Sequence, residues 1–310
     1  MAYHETDRAD VYTRVTEKII TAIEAGEGSY SMPWHAPKNA GYPVNAATGH
    51  NYRGVNILSL WVESQLKGYG DPTWATYKQW QDLGKQVAKG EKSTIGVFWK
   101  RFDENVEATE GEEAEEGHGR VRMMARAFCL FNACQTEGYE PPVHEPRPHH
   151  ERIESAEAFF GALGADIRHG GGKAFYRPAD DHIQMPPFDV FFDPIAYYAT
   201  LAHEATHWTA HPSRLDRDLK GRFGDESYAA EELIAELGAA FVAASLELTP
   251  EPRTDHAGYI QSWLKVLRND NRAIFTAAGH AQRAADYMHS LQETPEVTAT
   301  LVRQPALLHP

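Results

Sequence analysis

Cysteine and long apolar runs are scarce in this sequence of 310 residues. Its two cysteines, Cys129 and Cys134, form neither a disulfide framework nor a CxxC clamp, which is typical of a reducing compartment. No stretch approaches the roughly 18 consecutive apolar residues of a membrane-spanning helix. The opening residues MAYHETDRAD lack the basic and apolar regions of a secretory signal. We therefore expect a cytoplasmic protein with no membrane partner.

Positive charge is also scarce, since 30 Lys and Arg residues oppose 44 Asp and Glu residues and leave a net charge of −14. Taken alone, this balance argues against a nucleic-acid partner. However, the acids are concentrated in residues 103–116, which contain eight acidic and no basic residues. Such a run is typical of a solvated surface loop, and the alternatives are a nucleic-acid mimic or an autoinhibitory arm. Residues 53–101 are locally basic, with eight Lys or Arg residues against four acids.

Aromatic residues are plentiful and exclude a disordered chain, with 7 Trp, 14 Tyr and 13 Phe. In the N-terminal part, apolar spacing predicts helices over 10–26, 56–66 and 74–83, and two strands that pair as a hairpin over 93–102 and 120–132. We expect these elements to form an α+β domain over residues 1–135.

A Pro-rich, polar segment over residues 136–150 predicts a linker. The second domain, over residues 151–310, begins with a helix and two or three short strands. Long helices follow over 194–211, 227–248, 255–268 and 271–291. The predicted fold class is therefore α+β with two domains, the second having a small antiparallel sheet and helices that carry the active site.

The strongest chemical signal is an HExxH motif formed by His203, Glu204 and His207. On a helix the two imidazoles share a face and can bind one ion, and Glu204 can accept a proton from a water molecule beside it. Zn²⁺ suits two imidazoles and one carboxylate with a fourth position open. The extended pattern HExxHxxGxxH fails here, because its last two positions are Ala210 and Ser213.

A third ligand is expected downstream, where Glu232 and Glu236 lie four residues apart on a helical stretch. This is the arrangement of a gluzincin, in which one Glu binds the metal and an acid one turn later hydrogen-bonds a ligating His. We assign Glu232 as the ligand and Glu236 as the hydrogen-bonding acid, with Glu236 or Asp225 as alternative ligands. Glu231 should point about 100° away and be solvated.

Other polar residues near the motif have weaker cases. His211 follows at the end of the helix and is more consistent with a cap or core residue than with a ligand. Tyr198 and Tyr228 could donate a hydrogen bond to an oxyanion, although tyrosines near helix starts more often serve packing.

The N-terminal half has aromatic residues interleaved with basic ones, a combination that binds single strands through base stacking and phosphate contacts. The candidate DNA-binding residues are Tyr52, Arg53, Trp74, Lys78, Trp80, Lys85, Lys89 and Lys92. The alternative is that the Trp side chains fill the core while the Lys side chains solvate the surface.

Four long strings of the sequence resemble the ArdC-type antirestriction family of conjugative plasmids and mobile elements. These strings are NAATGHNYRGVNILSLW, WATYKQWQDLGKQVAKGEKSTIGVFWK, FCLFNACQTEGYEPP and LAHEATHWTAHPSRLDRDLKGRFGDESYAAEELIAELGAAF. The resemblance implies an N-terminal domain that binds single-stranded DNA, similar to one in plasmid primases, and a C-terminal zincin-like metallopeptidase domain. It also implies a role in protecting incoming DNA from restriction in a recipient cell.

Three hypotheses follow from these observations. In the first, a single-stranded-DNA binder without sequence preference is fused to a zinc peptidase, whose protein substrate could be a component of a restriction system. In the second, DNA binding alone protects and the metal site is structural or regulatory. In the third, the chain is a metallopeptidase with no nucleic-acid role.

Two further expectations concern the metal and the acidic run. Mn²⁺ or Fe²⁺ could replace zinc, because affinity order does not fix metal occupancy in the cell. Deleting the acidic run 103–116 should leave single-strand binding intact or strengthen it, because the run adds only negative charge.

Overall fold

The computed structural model describes eight parts of the chain, and the helices and strands below all lie within them. These parts are residues 10–26, 32, 41–103, 121–141, 149–191, 193–217, 226–248 and 257–292. The acidic run therefore lies outside the described residues except at its first position, residue 103. Among the described residues, no helix has both the length and the apolar character needed to cross a bilayer.

The N-terminal half is an α+β unit around a four-stranded sheet. Its elements are α1 (Asp10–Gly26), β1 (Val44–Asn45), α2 (Val55–Lys67), β2 (Thr73–Ala75), α3 (Tyr77–Asp82), β3 (Thr94–Asp103) and β4 (Val121–Asn132). The strand order is β1-β2-β4-β3, with β1 parallel to β2 and the other pairs antiparallel. The expected hairpin is confirmed, since β3 and β4 pair in register from Thr94↔Leu130 to Asp103↔Val121.

The helix expected over 74–83 is shorter than the pattern predicted. Trp74 and Ala75 belong to strand β2, and the helix begins only at Tyr77. Thr76 causes this break, because its side chain accepts a hydrogen bond from the backbone N–H of Gln79 and forms a capping box. Trp74 therefore points into the sheet packing rather than along the face of a helix.

The C-terminal half combines a small sheet with long helices. Its elements are α4 (His149–Gly161), β5 (Asp166–His169), β6 (Phe175–Arg177), β7 (His182–Met185), α5 (Pro194–Trp208), α6 (Glu226–Ser245), α7 (Ala257–Asn269) and α8 (Ala273–Ser290). The strand order is β5-β7-β6. The β6–β7 pair is antiparallel but β5 runs parallel to β7, so the sheet is mixed rather than wholly antiparallel as expected.

Part of the segment between the halves packs against the N-terminal half, although its sequence pattern predicted a linker. The Tyr139 hydroxyl donates to Asp71 at 3.1 Å, and Thr136 forms an isolated β-bridge with Val87. Residues 136–141 therefore pack against the N-terminal half, and α4 already begins at His149. The rest of the expected linker, residues 142–148, lies outside the described residues.

The two halves share one hydrophobic core. Trp61 of α2 and Tyr42 both approach Phe241 of α6, with ring centroids 6.0 Å and 6.5 Å apart. Gln282 of α8 accepts a hydrogen bond from the backbone N–H of Gly54 at 3.0 Å. Because buried apolar side chains from both halves interlock, this structure joins the halves through packed core rather than through a connecting segment alone.

Candidate metal centre

Helix α5 presents the HExxH motif at the centre of the C-terminal half. It begins at a favourable cap, because the Asp193 side chain accepts a hydrogen bond from the N–H of Ala196 and Pro194 occupies the first turn. Apolar and small residues cover the rest of the helix, so most of it is buried. His203 and Glu204 are each 7% exposed, which places ionisable groups where water is largely excluded.

Helix α6 crosses α5 at a point where both helices carry small groups. A Cβ atom placed on Gly238 would lie 2.5 Å from Cγ2 of Thr206, so only glycine permits this approach. The close crossing carries the preceding turns of α6 against the histidine face of α5, which brings Glu232 to His203 and His207.

The three expected ligands converge on one point. One donor atom from each of His203, His207 and Glu232 lies within 4.8 Å of the other two. The Glu232 carboxylate oxygens lie 3.5 Å from Nε2 of His203 and 3.6 Å from Nε2 of His207. A tetrahedral ion with bonds of about 2.0–2.1 Å sets its ligand atoms roughly 3.3 Å apart. The donor set and its spacing therefore fit a divalent metal ion.

Each histidine has a second carboxylate behind it. Nδ1 of His203 lies 3.0 Å from Glu236, as expected, and Nδ1 of His207 lies 3.3 Å from Glu231. A carboxylate at Nδ1 favours the tautomer that leaves the Nε2 lone pair free for a metal. The expectation that Glu231 is solvated was wrong, because this side chain is buried and turned toward His207. Its role follows from the crossing angle of α5 and α6, which helical spacing does not reveal.

Arg217, which was not among the predicted site residues, holds Glu231 in place. Its guanidinium donates to both Glu231 oxygens, at 2.8 Å and 3.2 Å, and to Oγ1 of Thr209 and the carbonyl of Thr206. Its side chain is 4% exposed. A buried arginine with this two-point contact fixes the carboxylate in one orientation. No motif marks Arg217, because it lies in a turn beyond the end of α5.

The buried charges shift one another's pKa values. Burial alone would lower the pKa of both histidines, but hydrogen bonds to Glu232 and Glu236 raise the pKa of His203 to about 10. Hydrogen bonds to Glu231 and Glu232 raise the pKa of His207 to about 9. Burial would raise the pKa of Glu232, but the same histidine contacts lower it. Protons and a metal ion would therefore compete for the same two histidines.

The remaining candidates near the motif divide between core and site. Tyr198 is 6% exposed and stacks on Phe160, so it is a packing residue. His211 follows the end of α5, and its Nδ1 contacts Ser213, which agrees with a capping role. Tyr228 lies beside the site, with its hydroxyl 3.5 Å from that of Tyr259. Burial, together with hydrogen bonds to Tyr259 and Glu232, raises its pKa. Asp225, the alternative ligand, lies outside the described residues.

Three of the aromatic candidates for DNA contact are buried. Trp74 and Trp80 are 1% and 2% exposed, and Tyr52 is 9% exposed. The Trp80 indole donates to the carbonyl of Phe131, and the Tyr52 hydroxyl accepts from Asn45. These three assignments as base-stacking residues were therefore wrong, because the rings fill the N-terminal core. The alternative interpretation of the Trp side chains holds at these positions.

The basic candidates are on the surface, as expected. The exposed lysines are Lys78, Lys85, Lys89 and Lys92. Arg53 is also exposed, and it forms an ion pair with Asp286 of α8. Exposed aromatic rings occur instead at Tyr77, Phe98 and Trp99, each with 43–47% of its surface accessible. Phe98 was not among the candidates, because its exposure depends on how the hairpin is covered.

These features define a zincin-like metallopeptidase domain attached to an N-terminal α+β domain, and family models agree with both parts. A zincin-like metallopeptidase model matches residues 154–280, and a model of the N-terminal domain of the anti-restriction factor ArdC matches residues 9–131. The chain belongs to the ArdC antirestriction family.

Relatives and solved structures agree with this assignment. Protein y4eC of Sinorhizobium fredii (strain NBRC 101917 / NGR234), described as uncharacterised, is 52% identical over 91% of this chain and 92% of its own length. A crystal structure of the antirestriction protein ArdC from plasmid R388, metal-free, has a TM-score of 0.74 at 41% identity, covering 91% of this chain and 98% of that one. Its Mn(II)-bound structure has a TM-score of 0.72 at 40% identity over the same shares.

The chain also resembles part of a larger protein. The DNA primase TraC of Escherichia coli is 37% identical over 91% of this chain, which spans 27% of the primase.

Proposed function

We propose that this chain is an antirestriction protein that binds single-stranded DNA without sequence preference and carries a metal-dependent peptidase centre. The convergence of His203, His207 and Glu232 on one point is the observation that carries the peptidase half. The Mn(II)-bound ArdC relative supports a divalent ion. Zinc is the ion we favour, because two imidazoles and one carboxylate with an open position suit it, and Mn²⁺ is the competitor.

The chain's own residues have distinct tasks in this proposal. The bound ion would supply Lewis-acid polarisation of a peptide carbonyl. Glu204 accepts a proton from the attacking water and delivers it to the leaving amine. Glu236 and Glu231 orient the two imidazoles, and Arg217 keeps Glu231 from turning away. The buried surroundings strengthen each of these polar interactions.

The DNA-binding half rests on family membership and on surface charge. Lys78, Lys85, Lys89 and Lys92 are exposed within a short segment and can contact phosphates without reading bases. The relationship to a DNA primase supports a nucleic-acid partner. We propose that the net charge of −14 does not oppose this partner, because screening limits charge effects to roughly 10 Å at physiological salt.

The substrate of the peptidase centre is proposed to be a protein of the recipient's restriction system. Glu204→Gln tests this, because it removes the base while preserving side-chain size. Glu157→Gln on the exposed face of α4 is the matched control. The measurement is the efficiency of plasmid transfer into restricting and non-restricting recipients, with each variant supplied from the transferred plasmid.

We expect Glu204→Gln to abolish protection in the restricting recipient while metal content and DNA affinity stay at wild-type levels. Cleavage rates should fall by about 10²–10⁴-fold when a general base is removed. If Glu204→Gln protects as well as Glu157→Gln does, the metal centre is structural or regulatory and DNA binding alone protects.

A separate titration tests the DNA half. The chain should bind single-stranded oligonucleotides more tightly than the duplex of the same sequence, with affinity falling as salt rises. Absence of binding at low salt would leave a metallopeptidase without a nucleic-acid role.

A further inference from the structure

The β3–β4 hairpin carries an aromatic pair on one face of the sheet. Gly96 lies opposite Phe128, and Phe98 lies opposite Arg126. Because side chains alternate between faces along a strand, Phe98 and Phe128 share one face. Their ring centroids are 5.9 Å apart and the rings meet edge to face.

Gly96 explains why the pair is held in this arrangement. A Cβ atom on Gly96 would lie 2.5 Å from Cζ and 2.6 Å from Cε1 of Phe128, so the Phe128 ring lies directly over the glycine. Phe128 also packs against the small cluster of Tyr52, Leu60, Trp74 and Leu130. The inner ring is thereby anchored, and Phe98 extends the aromatic surface outward with 45% of its area exposed.

The hairpin beneath this pair is fixed at its outer edge. Asn56 of α2 donates to the carbonyl of Val97 at 2.8 Å and accepts from its N–H at 2.7 Å. Ser59 donates to the carbonyl of Ile95 at 2.8 Å. These contacts satisfy backbone groups of an edge strand that would otherwise be open to pairing. The aromatic pair therefore sits on a rigid support.

Basic side chains flank the pair on the same face. Arg126 lies directly across from Phe98, and Lys100 follows Phe98 by two residues on β3. Lys100 is exposed and Arg126 is half-buried. An exposed ring beside two cations is complementary to a nucleotide, because the base has an apolar face and the phosphate is negative.

We propose that Phe98 and Phe128 form a platform on which one base of single-stranded DNA stacks, with Lys100 and Arg126 contacting the adjacent phosphates. This inference rests on the proposed single-strand binding and locates it. It replaces the buried rings of Trp74, Trp80 and Tyr52 as the stacking surface.

The test uses the full chain and separates binding to the DNA bases from binding to the sugar–phosphate backbone. Fluorescence anisotropy is measured with an oligothymidylate and with an abasic oligonucleotide of the same length, at two salt concentrations. Phe98→Ala should weaken oligothymidylate binding by about 5- to 150-fold, the range seen when a stacking aromatic is removed. Phe98→Tyr should bind like wild type, and neither variant should change binding to the abasic strand.

Two control variants make the result specific. Phe188→Ala removes a ring that is 42% exposed in the C-terminal half and should bind like wild type. Trp99→Ala removes the 47% exposed ring on the opposite face of β3, which contacts Tyr12, and should have the smaller effect. Thermal unfolding of each variant reports on folding.

The outcomes separate the platform from the broader proposal. If wild type binds the oligothymidylate and Phe98→Ala binds within twofold of it, the platform is wrong and DNA binding stands. If Trp99→Ala loses more affinity for the oligothymidylate than Phe98→Ala does, the DNA binds the opposite face of β3 and the proposed platform is wrong. If wild type binds neither strand at low salt, the proposed DNA function itself fails.

Discussion

The metal cleft and the DNA-binding surface handle charge in opposite ways. Between α5 and α6, two imidazoles, three carboxylates and Arg217 are buried in mutual contact, with side chains 4–14% exposed. On the N-terminal half, Lys78, Lys85, Lys89 and Lys92 are exposed to solvent. The first region should therefore respond strongly to single substitutions and to pH, and the second to salt and to the summed loss of charge.

The largest expected effect comes from breaking the buried pair behind His207. Arg217→Met removes the guanidinium partner of Glu231 and should destabilise the fold by about 3–5 kcal/mol, because a buried ion pair is broken and the carboxylate keeps only His207 as a partner of opposite charge. It should also weaken metal binding by about 10- to 100-fold, since Glu231 no longer orients His207. Chemical denaturation and metal titration measure the two effects.

Arg214→Met is the matched control. Arg214 is also buried, donates to Asp181 at 2.9 Å and lies over the Trp208 ring, but it touches no proposed ligand. It should destabilise the fold without changing metal affinity. Equal losses of metal affinity in the two variants would show that Arg217 acts only through stability.

The helix crossing is the next point at which the cleft can be broken. Gly238→Ala should cost about 1–3 kcal/mol, because the added methyl overlaps Thr206 and the two helices must separate. Gly279→Ala on α8 is the control, since among the described residues its new methyl would meet only Arg283, at 3.9 Å. That variant should gain up to about 1 kcal/mol from helix propensity.

A double variant checks the cause of the loss at the crossing. In a Thr206→Ala background the Gly238→Ala penalty should shrink, because contacting residues are not additive. Denaturation midpoints and metal affinities of the single and double variants complete a double-mutant cycle, which gives the coupling energy between positions 206 and 238. An unchanged penalty would mean that Thr206 does not set the helix separation.

pH also distinguishes the cleft from the surface, because the buried histidines titrate with raised pKa values. The pKa values of His203 and His207 are raised to about 10 and about 9, so protons compete with a metal below those values. Metal affinity should rise from pH 6 to pH 9, by at most about tenfold per pH unit for each proton released. Calorimetric competition titrations measure the affinity. Repeating them in buffers of different ionisation enthalpy gives the number of protons released.

The same shifts have the opposite consequence for the metal-free chain. The raised histidine pKa values stabilise the fold fully below the ordinary value of 6.5, and that contribution is lost as pH rises through about 9 to 10. For metal binding, an affinity that falls as pH rises from 6 to 9 would contradict the proposed ligand set.

Neutralising the surface charge should have the smallest effect per residue. Each Lys→Gln change among Lys78, Lys85, Lys89 and Lys92 should reduce the salt dependence of single-strand binding by about 0.7 in the log–log slope if that lysine contacts a phosphate. Metal binding should not change. Anisotropy titrations over a series of salt concentrations give the slopes, and slopes equal to wild type would exclude these lysines from the interface.

The two regions also differ in how far the sequence predicts them. The pairing of His203 with His207 follows from helical spacing alone, since residues four apart share a face wherever the helix lies. Glu232 was assigned from the gluzincin arrangement, and its approach to the two histidines depends on the crossing of α5 with α6. Glu231 and Arg217 could not be predicted, because their positions depend on the crossing of α5 with α6 and on the turn after Trp208. Spacing thus identifies ligands within one helix but not the contacts between elements.

The N-terminal surface shows the converse problem. Trp74 and Phe98 both have basic residues nearby in the sequence, which favours DNA contact equally for the two rings. However, Trp74 is 1% exposed and Phe98 is 45% exposed. Interleaved aromatic and basic residues do not reveal which ring is buried, because burial depends on which strand face packs on the core. The strands themselves were predictable, since residues 93–102 and 120–132 are both β-rich and were expected to pair as a hairpin, which β3 and β4 do.

Metal content and single-strand affinity, measured on one preparation each of wild type and His203→Ala, test the account most directly. Wild type should hold about one divalent ion per chain in the proposed three-ligand site and bind the oligothymidylate. His203→Ala should lose the ion and keep the DNA affinity, because the two regions use separate residues. Retention of one ion per chain by His203→Ala would contradict the assigned metal centre.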